Sequence, residues 1–175
     1  MDIGVSAIVF NKDRTKVLVQ KREDLKIWTI PGGAVEPNES PTEAVIRETK
    51  EETGVEVEPI RISGIYLRDI RFLEALNITF VCKPIKGKLT TSSENVDVAW
   101  MPINKALKMT VGRSAQKIKD ALSEENKVFL RINKDLGNLP RRMLLKWFLI
   151  QIKRKIKKFL NQCLPEKNFC AFPKT

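Results

Sequence analysis

The sequence predicts a mixed α/β domain of the α+β kind, followed by a basic helical extension at the C-terminus. Short runs rich in Val and Ile alternate with turn residues over the first hundred positions, which is typical of β-strands. A strongly capped helical segment interrupts them at residues 41–53. Beyond about residue 125, an apolar stripe at helical spacing replaces the strand pattern. We therefore predict one domain at residues 1–125 and an extension at residues 126–175.

Composition and length support a folded globular chain. The 175 residues give room for one full domain and an appendage. Hydrophobic residues make up 42% and charged residues 30%, which disfavours a disordered chain. No run of eighteen apolar residues is free of charge, so a transmembrane span is not expected. The chain should therefore fold around a single core.

Charge and cysteine content bear on location and partners. Residues 141–175 carry ten Lys or Arg and one acidic residue, which places +9 of the net charge of +11 in that segment. The three cysteines form no zinc pattern, and the chain has no His. The N-terminus lacks a basic segment typical of a secretory signal. We expect a cytoplasmic protein, with peripheral attachment to a membrane left open.

The N-terminal part is predicted to form strands and a glycine turn. Residues 3–10 and 16–20 flank the polar segment 11–14, which predicts a β-hairpin. Residues 28–30 form a short strand that stops at Pro31-Gly32-Gly33. The paired glycines indicate a tight turn at which the backbone approaches another group closely.

Residues 41–53 have the marks of a helix at both ends. Ser40 suits the N-cap, Pro41 suits the first helical position, and Glu43 completes a capping box. Gly54 stands where a helix C-terminus favours a left-handed residue. Later segments predict four strands and two helices, at residues 55–60, 62–67, 76–81 and 96–100, and at residues 102–108 and 113–122.

Carboxylates cluster on one side of the helix at 41–53. A helical wheel places Glu48, Glu51 and Glu52 within an arc of about 100°. Like charges at these spacings destabilise a helix by roughly 0.2–0.5 kcal/mol per pair, whereas a bound cation would reverse the sign. Hard oxygen donors suit Mg²⁺ or Mn²⁺. An acidic helix without further context is more often a solvated face, so the surrounding spacing decides.

That spacing resembles the box of the Nudix hydrolase family (MutT-like enzymes), Gly-x5-Glu-x7-Arg-Glu-U-x-Glu-Glu-x-Gly-U, with U an apolar residue. The fixed positions are filled in order by Gly33, Glu39, Arg47, Glu48, Glu51, Glu52 and Gly54, and Val55 follows as an apolar residue. Thr49 departs from the pattern, because an aliphatic residue is usual there. The wheel places Thr49 on the packing side, so the departure should affect packing rather than chemistry. Looser similarity extends over residues 1–122.

The resemblance implies a Nudix fold, a mixed sheet between helices, and a pyrophosphohydrolase that acts on acid anhydrides. It implies that Glu48, Glu51 and Glu52 bind Mg²⁺, with Mn²⁺ as a substitute, or that one of them serves instead as the general base. It also implies that the carbonyl of Gly32 or Gly33 can be a further metal donor. Arg47 would pair with a nearby carboxylate of the box, and Glu39 would be structural.

Other residues are candidates for substrate binding. The family often presents a basic residue to the diphosphate where Arg22 follows a strand, although ordinary surface charge is the alternative. Trp28 could stack on a base, but packing is the favoured interpretation. The backbone of Gly32 and Gly33 is expected to approach the substrate. Glu94 could add an acidic group, and surface solvation is the favoured role.

The substrate and the role of the extension remain open in the sequence. Residues 70–72 lack the Pro or Tyr that marks the ADP-ribose and dinucleoside-polyphosphate subfamilies. Nucleoside triphosphates are therefore the favoured substrates, followed by nucleotide sugars and capped RNA. The alternative is a nucleotide-sensing module whose basic helix docks on membrane or nucleic acid. The stripe at residues 139–162 could fold back on the domain, contact anionic lipid or bind nucleic-acid phosphates. The sequence does not predict an oligomeric state.

Overall fold

A computed structural model describes residues 2–68, 75–111, 113–123 and 127–133. The chain divides into two units, Met1–Leu139 and Pro140–Thr175, and every described residue belongs to the first. The predicted stripe at residues 139–162 lies outside the described residues, and so its contacts with lipid, nucleic acid or the domain stay predictions. Among the described residues, no helix is both long and apolar enough to cross a membrane.

Strands and helices follow one another as the sequence analysis expected for an α+β domain. Within the described part of the chain, the elements are β1 Asp2–Val9, β2 Lys16–Arg22, β3 Trp28–Thr29, α1 Pro41–Thr53, β4 Val55–Arg68, β5 Ala75–Gly87, β6 Asn95–Pro102, α2 Ile103–Met109, α3 Ser114–Ser123 and β7 Phe129–Asn133. One sheet has the order β1-β5-β4-β7, and a smaller sheet has the order β3-β2-β6. The larger sheet is mixed, because β4 and β5 are antiparallel whereas β1 pairs with β5, and β7 with β4, in parallel.

Both faces of β1 are covered by the core. Val5, Ala7 and Val9 belong to a cluster that includes Ala44 and Val45 of α1. Ile8, between them, belongs to a second cluster that contains residues of α2 and α3. Alternate residues of a strand point to opposite faces, so α1 lies on one side of β1 while α2 and α3 lie on the other. The predicted arrangement of sheet between helices is confirmed.

The predicted β-hairpin of residues 3–10 and 16–20 is wrong beyond its turn. A single bridge joins Phe10 to Val17, and the two strands then enter different sheets. β1 pairs with β5 instead, and β2 pairs with β3 and β6. The apolar run predicts a strand buried on both faces, but it carries no information about which neighbour provides the hydrogen bonds.

Two further differences concern β4 and β7. The predicted strands at 55–60 and 62–67 form one continuous strand, β4, because register shifts such as that between Pro59 and Arg61 absorb the break in the pattern. The sequence analysis did not predict β7. In β7, Leu130 and Ile132 are exposed, whereas Arg131 is bound to buried Asp120 of α3 through hydrogen bonds of 2.7 and 2.6 Å. This reverses the usual alternation of apolar and polar faces.

A buried lysine joins α3 to the larger sheet. The Lys117 ammonium donates to Ser6 Oγ at 3.0 Å and to Asn77 Oδ1 at 2.6 Å, and it lies 5.2 Å from the centre of the Tyr66 ring. Burial, assisted by the positive charges of Arg113 and Arg68, lowers the pKa of Lys117 to about 7. Folding therefore favours the neutral amine.

We predict that Lys117 makes the stability of the domain rise with pH. Between pH 7 and about 10, an unfolded chain keeps the lysine proton and the folded chain releases it, so raising the pH favours the folded state. Over this range, the free energy of unfolding should rise more steeply in wild type than in Lys117→Met. The difference in slope should be up to about 1.4 kcal/mol per pH unit. Denaturant titrations from pH 7 to pH 10 measure it. The exposed Lys119→Met is the matched control, and parallel curves for wild type and Lys117→Met would contradict the prediction.

Candidate active site

Helix α1 has the ends that the sequence predicted. The Ser40 side chain accepts the Glu43 N–H at 3.2 Å, and the Glu43 carboxylate accepts the Ser40 N–H at 2.9 Å. Gly54 ends the helix in a left-handed conformation with φ 73°. Thr49 is fully buried on the packing side, where its hydroxyl donates to the Val45 carbonyl at 2.6 Å. Because both ends are fixed, the directions of the glutamates along the helix are fixed too.

The glycine turn lies along β1. The Val5 N–H donates to the Gly33 carbonyl at 2.8 Å, and the Ala7 N–H donates to the Pro31 carbonyl at 2.9 Å. Gly32 has φ 146°, and a Cβ there would collide with the Val5 carbonyl and lie 2.7 Å from the Ser6 Cα. The turn thus needs glycine at position 32, as the sequence indicated.

Glu48 rests against the second glycine of that turn. A Cβ on Gly33 would collide with the Glu48 carboxylate, so the missing side chain leaves the space that this carboxylate fills. The Glu48 side chain is 16% exposed. Burial raises its pKa, although the neighbouring Arg47 acts in the opposite direction. The turn and the helix therefore meet at a partly desolvated carboxylate.

Glu52 binds the same turn from the next position on the helix. It is 5% exposed, and its carboxylate accepts the Gly32 N–H at 2.7 Å. Burial raises the pKa of Glu52 to about 7, with help from the charges of Glu48 and Glu94 and against hydrogen bonds from Gln20 and Gly32. A buried carboxylate of this kind is stabilised in its charged form by a nearby cation.

Arg47 connects the other carboxylates of the box. Its guanidinium donates to both oxygens of Glu39, at 2.7 and 3.0 Å, and to the Ala34 carbonyl at 3.1 Å. It also binds Glu48 at 3.0 Å and the exposed Glu51 at 3.2 Å. The hydrogen bonds that Arg47 donates to Glu39 lower the pKa of Glu39 to about 2. Arg47 thus supplies the positive charge that lets the glutamates lie close together.

The described residues contain no group of three or more acidic, His or Cys side chains already arranged around a metal position. Arg47 holds Glu48 and Glu51, and Glu52 turns toward Gly32. The donors nevertheless fit a hard divalent ion in chemical type, since all are carboxylates and the space beside Gly33 admits one of them. Buried Glu52 also lacks a direct ion pair with a cation in the described part of the chain.

The residues predicted to bind substrate differ in the contacts that they make. Arg22, at the end of β2, is bound by both oxygens of Asp24 at 2.9 and 2.6 Å, and the charge of Glu52 contributes to its raised pKa. Trp28 is half-buried and packs against the core cluster that contains Ile30, which supports the packing interpretation. Glu94 is close enough to affect the pKa values of Glu48 and Glu52.

Two buried amides near Glu52 were missed from the sequence. Asn95 donates a hydrogen bond to Gln20, and Gln20 lies close enough to the Glu52 carboxylate to lower its pKa. Gln20 directly follows the apolar run Val17–Val19 and is buried like those residues. A polar residue in a buried strand position was the available signal, because buried polar groups need partners.

A family model for the NUDIX domain matches residues 2–122. The chain belongs to this family. It is therefore a Nudix hydrolase, an enzyme class that acts on the pyrophosphate bonds of nucleotides.

Known relatives and solved structures agree with this assignment. A MutT-like protein of Streptomyces ambofaciens is 35% identical over 69% of this chain and 76% of its own length. A putative 8-oxo-dGTP diphosphatase of Bacillus subtilis is 29% identical over 82% of this chain and 94% of its own length. The crystal structure of a MutT protein from Methanosarcina mazei matches with a TM-score of 0.62 and 27% identity, over 72% of this chain and 96% of that one. The Nudix fold is thus shown.

We predict that Gly33→Ala folds but loses activity. The added methyl group meets the flexible end of Glu48, which can move aside, and displacing Glu48 from a predicted metal-binding position should cost at least about tenfold in turnover. Steady-state rates and thermal unfolding measure both effects. The double variant Gly33→Ala/Glu48→Ala should be as stable as Glu48→Ala alone, since the collision is gone. A fully active Gly33→Ala enzyme would show that the position of Glu48 is unimportant.

Proposed function

We propose that this Nudix hydrolase is Mg²⁺-dependent and cleaves a pyrophosphate bond of a nucleoside triphosphate. One observation carries the proposal: the carboxylates of Glu48 and Glu52 both lie against the Gly32–Gly33 turn. Glu51 directly precedes Glu52 on the same helix. The arrangement concentrates hard oxygen donors beside a partly exposed backbone turn, where a phosphate chain could approach.

In this proposal Glu48, Glu51 and Glu52 hold the metal ion. The Gly32 carbonyl is the favoured backbone donor, because the Gly33 carbonyl already accepts the Val5 N–H at 2.8 Å. Mg²⁺, or Mn²⁺ in its place, would neutralise phosphate charge and lower the pKa of a bound water. The ion would also replace part of the positive charge that Arg47 now supplies to Glu48 and Glu51.

The protein's own groups supply the remaining steps. One of the three glutamates accepts the proton of the attacking water, as a general base within hydrogen-bonding reach. Arg47 remains bound to Glu39 and keeps the helix in place beside the turn. Arg22 would exchange Asp24 for substrate phosphate, since a guanidinium binds carboxylate and phosphate with the same geometry. Hydrolysis of the bond between the α- and β-phosphates would release the nucleoside monophosphate and pyrophosphate.

The choice of a nucleoside triphosphate has two supports. The Bacillus subtilis relative, which this chain matches over 94% of that protein's length, is named for a triphosphate of an oxidised nucleoside. Residues 70–72 also lack the sequence markers of the ADP-ribose and dinucleoside-polyphosphate subfamilies. Oxidised and ordinary nucleoside triphosphates are therefore the first substrates to compare.

We also propose that residues 1–125 carry the catalytic domain and that residues 126–175 form an extension. The family match, which ends at residue 122, supports this division. β7 lies beyond residue 125 and still pairs with β4. A cytoplasmic location is proposed on the cysteine usage alone.

We predict divalent-ion-dependent release of a nucleoside monophosphate from at least one nucleoside triphosphate. With excess EDTA the activity should disappear, because phosphate charge is then no longer neutralised. Chromatography of products from a nucleotide panel, with Mg²⁺ and with Mn²⁺, measures it. A wild-type protein that is inert on the whole panel with both ions would contradict the proposal. Tight binding without turnover would favour the nucleotide-sensing alternative.

We predict that Glu51→Gln and Glu52→Gln each lower kcat by about a hundredfold or more, as expected for loss of a charged group in the reacting site. Exposed Glu58, on β4, provides a matched control, and Glu58→Gln should retain wild-type turnover. Measuring kcat and KM on the best panel substrate separates chemistry from binding. If Glu52→Gln were as active as Glu58→Gln, the assigned role of Glu52 would be wrong.

A further inference from the structure

A chain of hydrogen bonds between amides leads from the loop before β6 to the carboxylate of Glu52. The Ser92 backbone N–H donates to Asn95 Oδ1 at 3.1 Å. Asn95 Nδ2 donates to Gln20 Oε1 at 2.8 Å. The Gln20 side chain, in turn, lies beside the Glu52 carboxylate and opposes the rise in its pKa. The chain crosses from β6 to β2 and ends on α1.

Each bond in this chain fixes the orientation of the next amide. A side-chain amide has one accepting oxygen and one donating nitrogen. Because Asn95 Oδ1 accepts a backbone N–H, its nitrogen must face Gln20. Because Gln20 Oε1 accepts that nitrogen, Gln20 Nε2 is the group left to face the Glu52 carboxylate. A backbone N–H thus determines that Glu52 meets a donor rather than an oxygen.

Burial makes this orientation consequential. Gln20 is 2% exposed and Asn95 is 4% exposed, so water cannot easily replace a lost bond at either amide. Asn95 Nδ2 also donates to the backbone carbonyl of Glu52 at 2.6 Å, which ties the last turn of α1 to β6. Glu52 is therefore held at its backbone by Asn95 and at its carboxylate by Gln20 and Gly32.

We propose that Gln20 and Asn95 are positioning residues that hold the Glu52 carboxylate in its working orientation. The inference rests on the proposed function, because Glu52 is there a metal ligand. Neither amide contacts the reacting atoms in this proposal. Their contribution is to place Glu52 against the Gly32 N–H with its charged form hydrogen-bonded.

Asn95→Asp tests the orientation with little change of shape. An ionised Asp at this position accepts the Ser92 N–H but cannot donate to Gln20 Oε1. Gln20 would turn its nitrogen toward the new carboxylate and present its oxygen to Glu52. We expect kcat to fall by about tenfold or more, with KM within about threefold of wild type. Asn104→Asp, which adds the same charge at an exposed position of α2, should leave kcat unchanged.

A second variant guards against a folding defect in Asn95→Asp. Gln20→Met keeps the length of the side chain and removes both hydrogen-bonding groups, and its kcat should also fall about tenfold or more. In a Glu52→Gln background, both substitutions should lower kcat by less than about twofold, because they act through Glu52. A merely structural role would instead add its full effect in that background, and that result would overturn the proposal.

An NMR measurement tests the same inference without turnover. In protein labelled with ¹⁵N at glutamine side chains, the Gln20 Nε2 protons should exchange slowly with solvent in wild type and in Asn104→Asp. They should lose protection at least about tenfold in Asn95→Ala, which removes the donor that fixes Gln20 Oε1 and leaves space for water beside Gln20. Unchanged protection in Asn95→Ala would overturn the proposal. If wild type shows the protected amide but hydrolyses no nucleotide, the proposed function fails while the amide chain stands.

Discussion

The mutual repulsion of carboxylates is the constraint around which this molecule is built. Glu48, Glu51 and Glu52 lie on one helix, and two of them are driven into partly buried positions beside the glycine turn. Compensation comes from two sources. Arg47 binds Glu48 and Glu51, whereas the Glu52 carboxylate accepts the Gly32 N–H and lies beside a buried amide. The site keeps negative charge concentrated because several elements share the task of stabilising it.

The fold provides the rigidity that this arrangement requires. β1 is covered on both faces, and the glycine turn is hydrogen-bonded along it, so the turn has little freedom to move away from the helix. α1 is fixed at both ends by its caps and packs through Val45 and buried Thr49. The glutamates therefore project from a helix with a defined rotation toward a backbone with a defined position. Groups on such elements are held more accurately than groups on loops.

Local features were predictable from the sequence, and pairings between distant segments were not. The capping signals at Ser40 and Gly54 gave the bounds of α1, and the wheel placed Thr49 on the packing side. The separation of β1 from β2 escaped prediction because an apolar run does not specify its partner strand. β7 escaped because its outward side chains are the apolar ones. The link between Gln20 and Asn95 joins residues 75 positions apart, and spacing cannot reveal such a contact.

Asp120 shows how one residue can limit the later evolution of a fold. Its carboxylate accepts the Tyr66 hydroxyl from β4 and both Arg131 nitrogens from β7, while Gln116 contacts it within α3. Replacing Asp120 alone would leave the buried Tyr66 hydroxyl without its acceptor and the partly exposed Arg131 without its ion pair. Descendants of this sequence should therefore change positions 66, 120 and 131 together or not at all, which would make this trio a covarying set.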